Sequence, residues 1–364
     1  MDIKELYKLY QQHPCITTDS RNCPEGSIFL ALKGESFNGN KFALQALEKG
    51  CAYAIVDEEI EELSAQPSPL TSHLIKVDDC LQTFKDLARE HRRQFEMPMV
   101  GITGTNGKTT TKELIRAVLA ECYSVMATEG NFNNDVGVPK TLFRLDDQTE
   151  IAVVEMGASH PGDIKTLVET AEPTCGLITN VGRAHLQGFG SFEGVCKTKG
   201  ELYDFLIAHD CPIFVNRDNE YLMQMINGQC SMVNDHQPDI YYYGQSDNED
   251  ILIRGEVVSC APFLKFRWRE QDHDAGYTSE WMEVQTHLIG AYNLDNMLAA
   301  ITVGYVNNIP FEQINHALAN YVPTNNRSQL TETEKNHLIV DAYNANPTSM
   351  KEAKIGRASC RERV

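Results

Sequence analysis

Apolar residues in this chain come in short runs separated by polar turns, and the runs alternate with stretches of helical spacing. Ser27-Ile28-Phe29-Leu30-Ala31-Leu32 reads as a buried strand, and Ala52 to Val56 and His73 to Val77 read as two more. Asp78 or Asp79 can cap the helix that follows, which carries Leu81, Phe84, Leu87, Ala88 and His91 on one face. Strands alternating with helices to about Phe95 predict a small α/β unit, and Pro98 then punctuates the chain.

Met99-Val100-Gly101-Ile102-Thr103 predicts a short strand entering a glycine-rich turn, with a helix over Thr110 to Ala120. Ile151 to Met156 and Gly176 to Val181 are continuous apolar runs, as in parallel strands covered on both faces. From about Ile251 to Ile289 the pattern alternates, which predicts antiparallel strands, and Asn293 to Val306 reads as a helix. Beyond Val322 there is one buried strand, His337 to Asp341, a turn at Asn346-Pro347 and a helix start. One strand and part of a helix cannot bury a core. The expected organisation is therefore residues 1–97, 98–321 and the truncated start of a third domain at 322–354. The last ten residues, Ile355 to Val364, break the helical pattern and look like translated sequencing adapter. They are expected to be a non-native tail, and a coding sequence without adapter identity would contradict that.

Composition narrows the class. A length of 364 residues suggests about two or three domains. The 11 cysteines are scattered without a C-x-x-C pair, which points to reduced thiols and away from structural zinc. No apolar run approaches a membrane span, and the polar N-terminus lacks the pattern of a secretory signal, so a cytoplasmic location is expected. A net charge of −19 disfavours nucleic-acid binding, so an anionic substrate must be held by local basic groups and backbone N–H groups.

Gly104-Thr105-Asn106-Gly107-Lys108-Thr109-Thr110 lies between the predicted strand and helix. Glycines let the backbone curl so that N–H groups point inward at phosphate oxygens, and the helix adds its positive end. Lys108 supplies a charge for the terminal phosphates and Thr109 a hydroxyl for Mg²⁺. The strict phosphate-loop pattern is not met, because Ile102 stands at its first glycine position. Glu155 ends a buried strand and His185 follows another, and strand ends in an open α/β sheet converge on the ligand crevice. Singly, each is more often a satisfied polar group; beside a phosphate loop, the pair points to a metal held with phosphate oxygens. Lys197 and Lys199, taken alone, read as solvated surface.

Five blocks recur together, in this order, in the Mur ligases. They are Thr103 to Thr109, Glu155-Met156-Gly157-Ala158, Asn180 to Leu186, Lys199-Gly200-Glu201 and Ile289 to Asn293. The chain resembles that family over nearly all of residues 17–354. Ser159-His160-Pro161-Gly162-Asp163-Ile164 and Asp341 to Pro347 resemble the branch that joins D-alanyl-D-alanine to UDP-N-acetylmuramoyl-tripeptide. The resemblance implies an α/β, three-domain architecture: a small N-terminal α/β domain, a central phosphate-loop ATPase domain with a mostly parallel sheet, and a Rossmann-like C-terminal domain of which only the start is present. It implies an ATP- and Mg²⁺-dependent, amide-forming, monomeric enzyme of peptidoglycan precursor synthesis.

Residue by residue, the resemblance makes Lys108, Lys199 and His185 catalytic and implies that Lys199 is carbamylated. Thr109, Glu155, His185 and carbamylated Lys199 form the expected Mg²⁺ site. Asn293, Arg327 and Asp341 join residues 104–110 in ATP binding. Ser20, Arg21, Lys33, Gly34, Asn133 and Asn134 are the expected UDP-substrate contacts. Many relatives carry Asp and His where this chain has Asn38 and Asn40. A truncated third domain implies weak or absent activity for the fragment. The alternatives are a sister Mur ligase or folylpolyglutamate synthase, which share the ATPase core.

Overall fold

The computed structural model describes residues 2–34, 36–60, 69–230, 238–272, 276–324, 329–332, 337–340 and 350. Two compact units emerge: residues 1–96 with 135–145, and residues 97–134 with 146–364.

In the first unit, helix α1 (Ile3–Gln12) precedes four parallel strands, β1 (Ile16–Thr17), β2 (Ile28–Leu30), β3 (Tyr53–Val56) and β4 (Leu74–Lys76), paired in that order. Helix α2 (Ala43–Glu48) connects β2 to β3. Helix α3 (Cys80–Arg92) starts where predicted, with the Asp79 carboxylate accepting from the Gln82 N–H at 2.8 Å. It buries Phe84, Leu87, Ala88 and His91, and leaves Leu81 half-buried. The helix Gly137–Leu142 belongs to this unit although it lies far along the chain. Phe143 packs among Tyr10, Phe84 and His91 with ring centroids 5.0–5.6 Å away, and His91 Nε2 reaches the Leu145 carbonyl at 3.1 Å.

The second unit is built on a ten-stranded sheet. Its strands include β5 (Met99–Thr103), β6 (Val125–Ala127), β7 (Ile151–Glu155), β8 (Cys175–Ile178), β9 (Ile213–Asn216), β10 (Ile240–Gly244), β11 (Ile251–Cys260), β12 (Phe263–Asp272) and β13 (Met282–Ile289). The order β11-β10-β9-β8-β5-β7-β6 is parallel throughout, and β12 and β13 extend it antiparallel. All five residues of β5 and of β7 are buried, as their unbroken apolar runs require. Helices α4 (Lys108–Leu119), α5 (Asp163–Ala171), α6 (Phe192–Ala208) and α7 (Asn293–Val306) follow strands or loops of this sheet. Leu114, Ile115 and Val118 of α4 share one core with Met297, Leu298 and Ile301 of α7. Farther along, His337–Val340 pairs antiparallel with Gln329–Glu332.

Candidate active site

Strand β5 delivers the chain into a loop that only glycine can build. Gly104 has φ +143° and a Cβ there would lie 2.0 Å from Thr179 Oγ1; Gly107 has φ +81° and its Cβ would meet Asn296 Oδ1 at 2.7 Å. The neighbouring strand end fixes the loop. Thr105 N–H donates to the Asn180 carbonyl at 2.9 Å, and Asn106 N–H donates to Asn180 Oδ1 at 3.0 Å. Asn180 Nδ2 and Thr179 Oγ1 donate to the Asn106 carbonyl at 3.0 and 2.6 Å. The Lys108 ammonium folds over the loop and donates to the carbonyls of Gly104 (2.8 Å) and Thr105 (3.2 Å). Thr109 and Thr110 are buried in the first turn of α4.

Glu155 ends β7 and is 1 % exposed. Its N–H donates to Thr128 Oγ1 at 3.0 Å and its Oε1 accepts from Asn133 Nδ2 at 2.8 Å. Oε2 is buried with no hydrogen-bond partner. A buried carboxylate oxygen without a donor is costly unless a cation completes it. Lys199, far from being solvated surface, is buried in α6. Burial, reinforced by the charge of Lys108, pulls its ammonium down to about 7. A neutral amine is the form that can be carbamylated, so the environment that carbamylation requires is present.

His185 is exposed and held at φ +51°, a conformation that costs a non-glycine residue energy. Partial desolvation, then Lys108, Lys199 and His160, hold its imidazole below its usual range. It is therefore neutral, and able to ligate a metal, at neutral pH. No group of three His, Cys, Asp or Glu forms a metal cluster among the described residues. Fit to a cation rests instead on the orphaned Glu155 oxygen, the Thr109 hydroxyl, His185 and the Lys199 amine.

Asn293 begins α7, where its Nδ2 donates to the Ile289 carbonyl at 2.8 Å. Its Oδ1 accepts from Asn296 Nδ2 at 2.9 Å, and Asn296 Oδ1 accepts from Thr111 Oγ1 at 3.0 Å. This chain of bonds ties α7 to the phosphate-loop helix. Arg327 and Asp341 lie outside the described residues.

In the first unit, Ser20 is buried and its carbonyl accepts from Lys49 Nζ at 2.6 Å. Arg21 is exposed and pairs with Asp19 at 2.9 Å; its hydrogen bonds hold the Asp19 carboxyl at about 2. Lys33 pairs with Asp57 at 3.1 Å beside exposed Gly34. Asn40 is buried and bonded to Asp57 twice, at 2.8 and 3.0 Å, which gives it a role inside the unit. A cavity of about 410 Å³ lies beside this turn, lined by Ile16, Thr17, Thr18, Asp19, Phe84 and Lys140 among others. In the second unit, Asn133 stands against Glu155, and Asn134 is exposed beside it.

Thr128, Thr179, Asn180 and Asn296 shape the site, and reading the chain residue by residue assigns them no part in it. Asn180 sits within a family block, and Asn296 lies one helical turn from Asn293, so both carried a usable signal. Lys140 carried none, because it reaches the cavity from a distant stretch of chain.

A phosphate loop between a parallel strand and a helix, facing a buried strand-end glutamate and a desolvated lysine, defines a nucleotide-dependent enzyme core of α/β type. The chain matches the Mur ligase middle domain over residues 102–304 and the Mur ligase family catalytic domain over residues 14–92. It belongs to the Mur ligase family. The UDP-N-acetylmuramoyl-tripeptide–D-alanyl-D-alanine ligase of Bacillus subtilis is 34% identical over 93% of this chain and 68% of its own length. MurF from Acinetobacter baumannii superposes with a TM-score of 0.82 at 28% identity, covering 94% of this chain and 71% of that one. MurF from Thermotoga maritima, solved with ADP, superposes with a TM-score of 0.80 at 25% identity, covering 95% and 74%.

Proposed function

We propose that this protein joins D-alanyl-D-alanine to UDP-N-acetylmuramoyl-tripeptide, using ATP, in cytoplasmic peptidoglycan precursor synthesis. The observation that carries the reading is the buried pair behind the phosphate loop: Glu155 with a bare oxygen, and Lys199 desolvated to about 7. Residues 98–321 form the ATP-binding domain and residues 1–97 bind the UDP substrate through Ser20, Arg21, Lys33 and Gly34, with Asn133 and Asn134, outside residues 1–97, as further substrate contacts. Thr109, Glu155, His185 and carbamylated Lys199 would hold Mg²⁺, which supplies positive charge against the triphosphate. Asn293, Arg327 and Asp341 contribute to the nucleotide site.

A carboxylate is a poor acyl donor, since its charge repels an incoming amine. Transfer of the γ-phosphoryl group to the tripeptide carboxylate makes an acyl phosphate with a good leaving group. The dipeptide amine then attacks and phosphate departs. Two anions must approach in the first step, and Lys108 neutralises the phosphoryl oxygens as they move. Backbone N–H groups of the loop hold the phosphates in line, and positioning of this kind lowers such barriers by up to roughly 7–11 kcal/mol. Lys108→Ala should therefore abolish ADP formation in the presence of the muramoyl tripeptide. Substantial ADP release by that variant would contradict the assignment.

A further inference from the structure

The amine that completes the amide is an ammonium at neutral pH and must lose a proton before its nitrogen can form a bond. The basic groups nearest the phosphate loop have other duties. In the proposal above, Glu155, which is bonded to Asn133, and His185 are metal ligands, and Lys199 is carbamylated. Lys108 is a cation over the loop. Another base stands on the segment packed against the turn after His185: His160.

His160 follows the glutamate strand by five residues and is exposed. Its surroundings fix it. The Asp163 carboxylate accepts from the backbone N–H of both Ser159 and His160 at 2.8 Å, which sets the turn into α5. Ser159 Oγ lies 3.2 Å from His160 Nδ1 and orients the ring. The turn after His185 packs directly on this segment. A Cβ at Gly188 would fall 2.1 Å from the Ser159 carbonyl oxygen and 3.3 Å from His160 Cδ2. With Nδ1 engaged by serine, Nε2 is the nitrogen left for a substrate. An exposed histidine at a turn is most often only a surface group, but this one is oriented by a neighbour and packed against the His185 turn.

We propose that His160 is the general base that takes the proton from the incoming dipeptide amine. The ammonium gives one proton to His160 Nε2, and the freed amine nitrogen then bonds to the acyl carbon. The acyl–oxygen bond to phosphate then breaks, phosphate leaves with the bonding electrons and takes up the second proton from nitrogen, and the histidine returns its proton to water. Ser159 is a positioning residue for the ring. The inference rests on the acyl-phosphate reading above.

The test compares two nucleophiles in the full-length protein supplied with ATP, Mg²⁺ and UDP-muramoyl-tripeptide. D-alanyl-D-alanine needs a base, whereas hydroxylamine is unprotonated at neutral pH and traps the acyl phosphate as a hydroxamate without one. His160→Gln should lower the ratio of dipeptide ligation to hydroxamate formation by about 100-fold, the lower range for general-base catalysis. Ser159→Ala should lower it less. Hydroxamate formation also reports that each variant is folded and transfers phosphate. An unchanged ratio, or an equal loss of both products, would overturn the inference and leave His160 a structural residue. A wild-type protein that ligates no dipeptide and yields no hydroxamate would remove the ligase reading itself, and the inference with it.

Discussion

Burial governs Lys199. In the unfolded chain a lysine titrates near about 10.4, whereas in the folded protein burial and Lys108 bring it to about 7. Between those values unfolding takes up a proton, so the lysine makes stability rise with pH across that window. Below about pH 7 the cost of the buried charge is present in full. Lys199→Met should thus raise the melting temperature most below pH 7 in CO₂-free buffer, with the gain shrinking toward pH 10. A gain that ignores pH would contradict a buried, titrating amine. Glu155 makes a second expectation. Glu155→Gln keeps an oxygen for Asn133 but removes the anion beside it, so half-maximal activity should need at least about tenfold more Mg²⁺, as for other perturbed metal sites. An unchanged Mg²⁺ requirement would remove Glu155 from the cation site.

Among the elements, the contact between α4 and α7 matters most for the nucleotide. Asn296→Ala removes the bond to Thr111 and the partner of Asn293. It should destabilise the protein by about 1 kcal/mol per lost bond and raise the KM for ATP several-fold. Equal melting temperature and KM would show that the link is idle. Much of this level was legible in the chain. The strand Met99–Thr103 and the helix Asn293–Val306 have the bounds that periodicity predicts. Helix α4 begins at Lys108 rather than Thr110, because left-handed Gly107 starts it as soon as the loop closes. Strand β8 ends at Ile178 rather than Val181, because Thr179 and Asn180 turn to brace the loop. Strands β6, β9 and β10 carry no distinct signature in the sequence, being runs of three to five residues. Local pattern located Glu155 and His185, but whether a lysine such as Lys199 is buried depends on packing that spacing cannot express.

At the scale of the molecule, periodicity places residues 135–145 among the surroundings of the second unit, yet they belong to the first. Contacts distant in sequence decide that, through Phe143 and Leu145 against α3. A fragment of residues 1–97 should expose the Phe84 and His91 surface, bind an apolar dye, and be stabilised by a peptide spanning 135–145. No effect of the peptide on its melting temperature would contradict this assignment. The net charge of −19 gives no help in drawing an anionic nucleotide to the protein, so the local cradle of N–H groups and Lys108 must supply the attraction. Whether that cradle serves the proposed ligation is tested most directly by coupled phosphate release from the full-length protein. ATP, Mg²⁺, UDP-muramoyl-tripeptide and D-alanyl-D-alanine are supplied together, and each is then omitted in turn. Phosphate release that requires all four is the predicted result. Release that ignores the dipeptide, or none with any muramoyl substrate, would contradict it and point to a sister ligase with the same ATPase core.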